Sequence, residues 1–221
     1  MFSISNEKDN YFLLQNRKKI LTPNKNYLLV KKKDHAIELI KELKGKTDFK
    51  DQFSLLSLTF FSCDLLKGDK LEIQKKILVM LDYDNILYRC ADSDPLNKVM
   101  DKKLNDLIEF FSNRFQINFR LLESLILKQK NLDKISLLNF LKTKNNFYLT
   151  AFLKLSLLTK SVILSFFFLE RKISSRKLFE LSNVESIFQQ KKWGVVNEQK
   201  IVDKDYLKSI KNISIFFKKS M

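Results

Sequence analysis

Residues able to do chemistry are few in this chain and far apart. Its one histidine, His35, follows Asp34 at an expected helix start, and no nucleophile and orienting acid can be assembled around it, so it reads as a surface residue opening a helix. Asp82, Asp84, Asp92 and Asp94 bracket a short apolar run, and carboxylates grouped this way could hold Mg²⁺ or Ca²⁺. The neighbours Asn85, Ser93 and Pro95 favour ordinary turn and cap chemistry instead, and no glycine supplies the tight loop of a calcium site. The three Gly, at 45, 68 and 194, exclude the glycine-rich phosphate cradles of the Walker and dinucleotide types. Cys63 and Cys90, with one His, suggest neither a disulfide framework nor a zinc site. The expectation is a protein with no catalytic residue, metal or cofactor, working in a reducing compartment.

Recognition is the chemistry that is left. Phe115, Ile117 and Phe119, beside Arg114 and Arg120, could mimic a stacking platform for nucleic-acid bases, although alternating aromatics are more often the core face of a strand. The 41 Lys and Arg against 25 Asp and Glu give a net charge of +16, which ordinarily points to a polyanionic partner. Only six of these cations are Arg, and the Lys are scattered through a chain rich in Lys, Asn, Ile and Phe, a pattern of AT-rich codon usage. A basic nucleic-acid-binding module is therefore the alternative reading. More specific is the stretch from Ser174 to Gly194. Leu178, Leu181, Val184 and Phe188 recur at helical spacing behind the caps Ser174 and Ser175, Gly194 stands where a helix stops in a left-handed residue, and Glu185, Gln189, Gln190 and Lys192 crowd toward the only Trp, Trp193. Trp193 is either a core residue at a helix end or an anchor for a partner.

The elements that must hold these residues fall into two halves. With 45% apolar and 30% charged residues in 221, the chain can bury a sizeable core. Residues 11–15, 19–22 and 27–30 read as two successive hairpins, residues 34–43 as a helix capped by Asp34, and residues 53–66 as a buried helix. Gly68 is expected to break the chain before a helix at 71–81 that turns Ile73, Ile77, Leu78 and Leu81 inward, and Ile86–Cys90 is expected to be a strand. Pro95 opens the clearest amphipathic helix, with Leu96, Val99, Met100, Leu104, Leu107, Ile108 and Phe111 on one face, and residues 115–121 alternate as a half-buried strand. Beyond Leu122 only helical spacing remains, at 135–141, 147–170, 175–193 and 203–217. The expected fold is α+β: residues 1–124 with a small, mainly antiparallel sheet of about five strands and helices, and residues 125–221 as an all-helical bundle. Leu149 to Leu169 is the most apolar stretch, but Lys154 and Lys160 within it, at roughly 2.5 to 3.5 kcal/mol of insertion cost each, make a buried central helix the better reading than a membrane span.

The order of these segments resembles the ATP-twelve family, assembly chaperones for the α subunit of the F-type ATP synthase head. The resemblance rests on LTPNKNYLLV before a helix, DNILYR before an acidic Pro-containing turn, the long apolar segment, and LSNVESIFQQKKWG. It places family positions on Thr22, Pro23, Asp84, Tyr88, Arg89, Lys160, Ser161, Leu181, Ser182, Glu185, Phe188, Gln189, Trp193 and Gly194. Three features depart from the family pattern: Ser186 and Ile187 stand where further acidic residues usually follow Glu185, Leu104, Asn105 and Asp106 replace a Trp-Asp-Pro, and the acidic tail common after the Trp-Gly motif is thin. The resemblance implies a non-enzymatic chaperone that binds the unassembled α subunit through Glu185, Gln189, Lys192 and Trp193 and prevents its aggregation. It further implies a monomer with no nucleic acid bound and no membrane insertion, in a bacterial cytoplasm or a mitochondrial matrix.

Overall fold

In a computed structural model, which describes residues 1–45, 51–124 and 127–220, the chain opens with a small sheet. β1 (Phe2–Glu7) and β2 (Asn10–Gln15) form an antiparallel hairpin in which Phe2 pairs with Gln15 and Glu7 with Asn10. β1 lies ahead of the strands expected from sequence, although Phe2 and Ile4 alternating with Ser3 and Ser5 carry the period-two signal. The turns Lys8-Asp9 and Asn16-Arg17 have positive φ at both residues, the geometry that matches strand twist in a two-residue hairpin. β3 (Lys18–Lys19) and β4 (Leu29–Val30) both pair with β2, one toward its end and one toward its start. The second expected hairpin survives as an irregular loop closed by Leu28 N–H donating to Ile20 O at 2.9 Å.

Ten helices follow among the described residues: α1 (Lys33–Lys44), α2 (Leu55–Asp64), α3 (Lys67–Leu81), α4 (Asp94–Phe115), α5 (Ile135–Lys142), α6 (Asn146–Thr159), α7 (Val162–Leu169), α8 (Ser175–Ser182), α9 (Val184–Trp193) and α10 (Asn197–Ser220). The α+β class with a helical C-terminal part is as expected. No described helix is long and apolar enough to cross a membrane. One apolar cluster runs from Leu13 on β2 to Phe217 on α10, with every residue of α7 buried at its centre. Residue 125, the start of the expected second half, lies outside the described residues.

Several local expectations are corrected. Ile86–Cys90 is not a strand: Asn85–Leu87 form a 3-10 turn, and Tyr88 makes a single parallel bridge with Leu122. Residues 115–121 are not a strand either. Phe115 closes α4 and Gln116 caps it in a left-handed conformation (φ 56°, ψ 44°), so the burial of Phe115 and Ile117 on either side of the exposed Gln116 comes from a helix end and the turn after it, not from a paired strand. The aromatic platform disappears with it, since the Phe115 ring sits 5.2 Å from Phe166 and 5.5 Å from Phe140 in the core. Gly68 lies within the first turn of α3 rather than ahead of it. α1 begins after Lys32, not Asp34, which turns position 35 inward with Ala36 and Leu39, so His35 is buried instead of exposed. The long apolar helix is two, because Lys160 adopts a left-handed conformation (φ 53°, ψ 28°) and Ser161 caps α7 by accepting from Leu164 N–H at 3.0 Å.

Candidate functional site: a cleft beside helix α9

The stretch from 175 to 193, expected as one helix, is also two. Asn183, at φ −121° and ψ 28°, ends α8 and begins α9. Ser182 Oγ donates to Leu178 O at 2.9 Å and Asn183 Nδ2 to Phe179 O at 2.9 Å, local bonds by which short polar side chains compete with a helix ladder. The hydroxyl of Tyr206 on α10 then donates to Ser182 Oγ at 2.9 Å and locks the break in place. Leu181 and Val184 stay buried, and the bend swings α9 across α4 with Glu185, Gln189, Lys192 and Trp193 exposed. Gln189 Nε2 donates to Glu185 Oε1 at 3.2 Å, and the Lys192 ammonium stands 5.0 Å from the Trp193 ring centroid. Trp193 is 70% exposed and so is not a core residue. Gly194 has the positive φ expected of it, 88°, but with ψ 172° it occupies the extended glycine-only region rather than the left-handed helical one.

Facing α9 is the segment around the 3-10 turn. Asp84 is buried and accepts from Ile163 N–H at 3.0 Å and Ile86 N–H at 3.3 Å, while Asn85 N–H donates to Lys160 O at 2.9 Å. The loop is thus pinned to the α6–α7 junction, almost eighty residues further on in sequence. Burial pushes the Asp84 carboxyl up to about 6 against the downward pull of those amide bonds. Arg89, also buried, donates from Nη1 to the carbonyls of Ile86 and Tyr88, each at 2.9 Å, from Nε to Asp101 Oδ1 at 2.8 Å, and from Nη2 to Asn105 Oδ1 at 2.9 Å. Asp101 and Asn105 sit one turn apart on the polar face of α4. That spacing is the one sequence signal that could have tied them to a shared cation.

Between these walls lies a cleft of about 610 Å³. Tyr88, Arg89, Lys160, Leu181, Ser182, Glu185 and Gln189, positions drawn from three separated sequence motifs, all line it. Lys192 and Trp193 do not; they extend the exposed face of α9 away from its mouth. Thr22 and Pro23 belong to another part of the surface, where the Thr22 hydroxyl donates to Asp64 and Pro23 borders a second cavity of about 510 Å³ with Phe60 and Phe61. The four aspartates of the metal reading are dispersed: Asp84 is engaged as described, Asp82 pairs with Lys134 at 2.6 Å, Asp94 opens α4, and Asp92 borders the cleft. Among the described residues no three His, Cys, Asp or Glu are grouped to hold a metal ion. The cleft offers two cations, Arg89 and Lys160, three carboxylates, Asp92, Glu123 and Glu185, with amides and an apolar wall, an arrangement suited to gripping a polypeptide.

Comparison with known proteins places the chain. Residues 2–112 match the family model described as ATP12 chaperone protein. The mitochondrial protein atp12 of Schizosaccharomyces pombe is 25% identical over 163 residues, which make up 71% of this chain and 56% of that protein, so the chain spans little more than half of that relative's length. The fold is that of the Atu1473 protein of Agrobacterium tumefaciens, at a TM-score of 0.85 and 17% identity over 99% of this chain and 83% of that one. It is equally that of Atp12 from Paracoccus denitrificans, at a TM-score of 0.81 and 18% identity over 100% and 96%. The family match ends before α9, and the likeness of fold continues through it. With half of its length matched by the family model and its fold shared from end to end, the chain belongs to the ATP12 chaperone family.

Proposed function

We propose that this protein is an assembly chaperone of the F-type ATP synthase, which binds the unassembled α subunit of the catalytic head and keeps it from aggregating until a partner subunit displaces it. The observation that carries this reading is convergence: Tyr88, Arg89, Lys160, Leu181, Ser182, Glu185 and Gln189, singled out by resemblance in three separated segments, line one cleft, with the exposed Trp193 on the same helix as the last two. Glu185 and Gln189 form its rim, Lys192 and Trp193 an outer contact, and an exposed aromatic beside a polar rim is the composition of an interface anchor. The work is done without catalysis, in the bacterial cytoplasm or, in a eukaryote, the mitochondrial matrix.

Co-expression with the cognate α subunit tests this. The chain should keep the α subunit soluble and co-purify with it in the absence of added nucleotide, and a folded Glu185→Lys, Trp193→Ala double variant should not. Unchanged rescue by the double variant removes the site assignment. Salt-sensitive binding to generic nucleic acid with no effect on the α subunit removes the function itself.

A further inference from the structure

α10 follows α9 after the short turn at 194–196, and a polar side-chain cluster links the two helices near that turn. Gln190 on α9 and Gln199 on α10 both donate to the Asp203 carboxylate, at 3.3 and 2.7 Å, and the same face of α10 continues through Tyr206, Ile210, Ile213 and Phe217 into the core. Ile201 and Val202 fall off that inward face. Together with Trp193, Val195 and Val196 in the turn, they leave five large apolar side chains between 45% and 70% exposed in the stretch from Trp193 to Val202. An exposed apolar concentration of this kind on an otherwise charged surface marks an interaction site. Its surroundings are basic: Lys191, Lys192, Lys200 and Lys204 are exposed, against the exposed Glu198 and Asp205, in a chain of net charge +16.

We propose that the α9–α10 turn region from Trp193 to Val202 is a docking surface for an apolar segment of the α subunit flanked by acidic residues. This rests on the chaperone reading above and deepens it. The apolar side chains supply the buried contact, and the lysine surround favours an acidic flank and disfavours a basic one, so that charge sets which apolar segment is taken. A second copy of the chain is a poor occupant, because it would bring the same lysines face to face.

The only Trp in the chain is Trp193, so its fluorescence in the full-length protein reports on this surface alone. The probes are Trp-free amphipathic peptides built from Leu and Glu, from Leu and Lys, and from Ser and Glu. The Leu/Glu peptide is expected to shift Trp193 emission to the blue in a saturable way, with the other two binding about tenfold more weakly or worse. A Val196→Ser, Ile201→Ser, Val202→Ser variant, with circular dichroism unchanged, should lose about tenfold in affinity for the Leu/Glu peptide. Lys191→Glu with Lys200→Glu should shift preference toward Leu/Lys. The proposal is overturned by the absence of a saturable shift, by equal responses to Leu/Glu and Leu/Lys, or by full affinity in the serine variant. A response to phosphatidylglycerol vesicles but not to the peptide overturns it in favour of a lipid surface. Because the titration contains no α subunit, its failure leaves a positive co-purification result standing. A positive titration beside failed co-purification removes only the α subunit as the partner.

Discussion

Replacing His35 by Leu should make the protein markedly less sensitive to acid, and the size of the effect follows from the surroundings of the ring. His35 Nε2 lies 3.1 Å from Thr59 Oγ1, and that hydroxyl spends its proton on Leu55 O at 2.7 Å. Nε2 must therefore carry the hydrogen, leaving Nδ1 as a bare lone pair that is buried with no partner. The rings of Phe147 and Phe216 stand 6.0 and 5.8 Å away, and the Lys219 ammonium is the nearby charge. Burial, and secondarily Lys219, lowers the pKa to about 4, from about 6.5 in an unfolded chain. Between those values the unfolded state binds more protons, so this term is fully present above about pH 6.5 and is lost as pH falls toward 4. Two and a half pH units at about 1.4 kcal/mol each give a total of about 3.5 kcal/mol, of which about 2.5 kcal/mol is lost by about pH 4.5. Asp84 works in the opposite sense. Its carboxyl, raised to about 6, contributes stability below the unfolded value that is lost as pH rises through about 6, but it is common to both proteins and cancels in their difference. Urea unfolding of wild type and His35→Leu at about pH 7.5 and about pH 4.5 supplies the comparison. The variant should lose about 2.5 kcal/mol less on acidification, and equal losses would refute a buried neutral imidazole.

Arg89→Met should cost about 2 to 4 kcal/mol in the same unfolding assay, because it strips two backbone carbonyls and Asn105 of a buried cation, whereas Asp101→Asn, on the half-exposed partner, should cost about 1 kcal/mol or less. Equal costs would mean that the buried bonds of Arg89 do not hold the cleft wall. Lys160→Gly should raise thermal stability by about 1 kcal/mol by relieving the left-handed conformation, and Lys160→Val should lower it; a loss on going to Gly would contradict that geometry. Titration with a thiol reagent at about pH 7 should find one fast thiol, the exposed Cys90. The Cys63 sulfur donates to Leu29 O at 3.3 Å and partial burial pushes its pKa up to about 11, so it should react far more slowly until the chain unfolds, and two fast thiols would contradict this environment.

The amphipathic stripes of α3, α4 and the inner face of α10 were legible because helical spacing and residue type are local properties, and they suffice for the α+β class and for most helix positions. The stretch from Ser174 to Gly194 was legible in the same way as a pattern: its cap at Ser174, its apolar stripe and the positive φ at Gly194. Where the pattern misled, two backbones shared one signal. Alternation at Phe115, Ile117 and Phe119 is satisfied by a helix end, its left-handed cap at Gln116 and the chain that follows as well as by a strand, and the apolar run through Lys160 does not reveal a turn that is closed by bonds to Asp84 and Asn85.

The amino-acid sequence by itself determined the class of fold, the amphipathic helices and the scarcity of catalytic and metal-binding groups. Tertiary structure alone decided that Trp193 faces solvent, that His35 does not, and that Arg89 lies beside Glu185 across a cleft. The reason is that burial depends on which distant segment arrives to cover a side chain. Trp carries the same apolar surface whether or not a neighbour packs on it, and Asp84 and Arg89 can be buried only because an amide from the α6–α7 junction and side chains of α4 complete the bonds that their own turn begins.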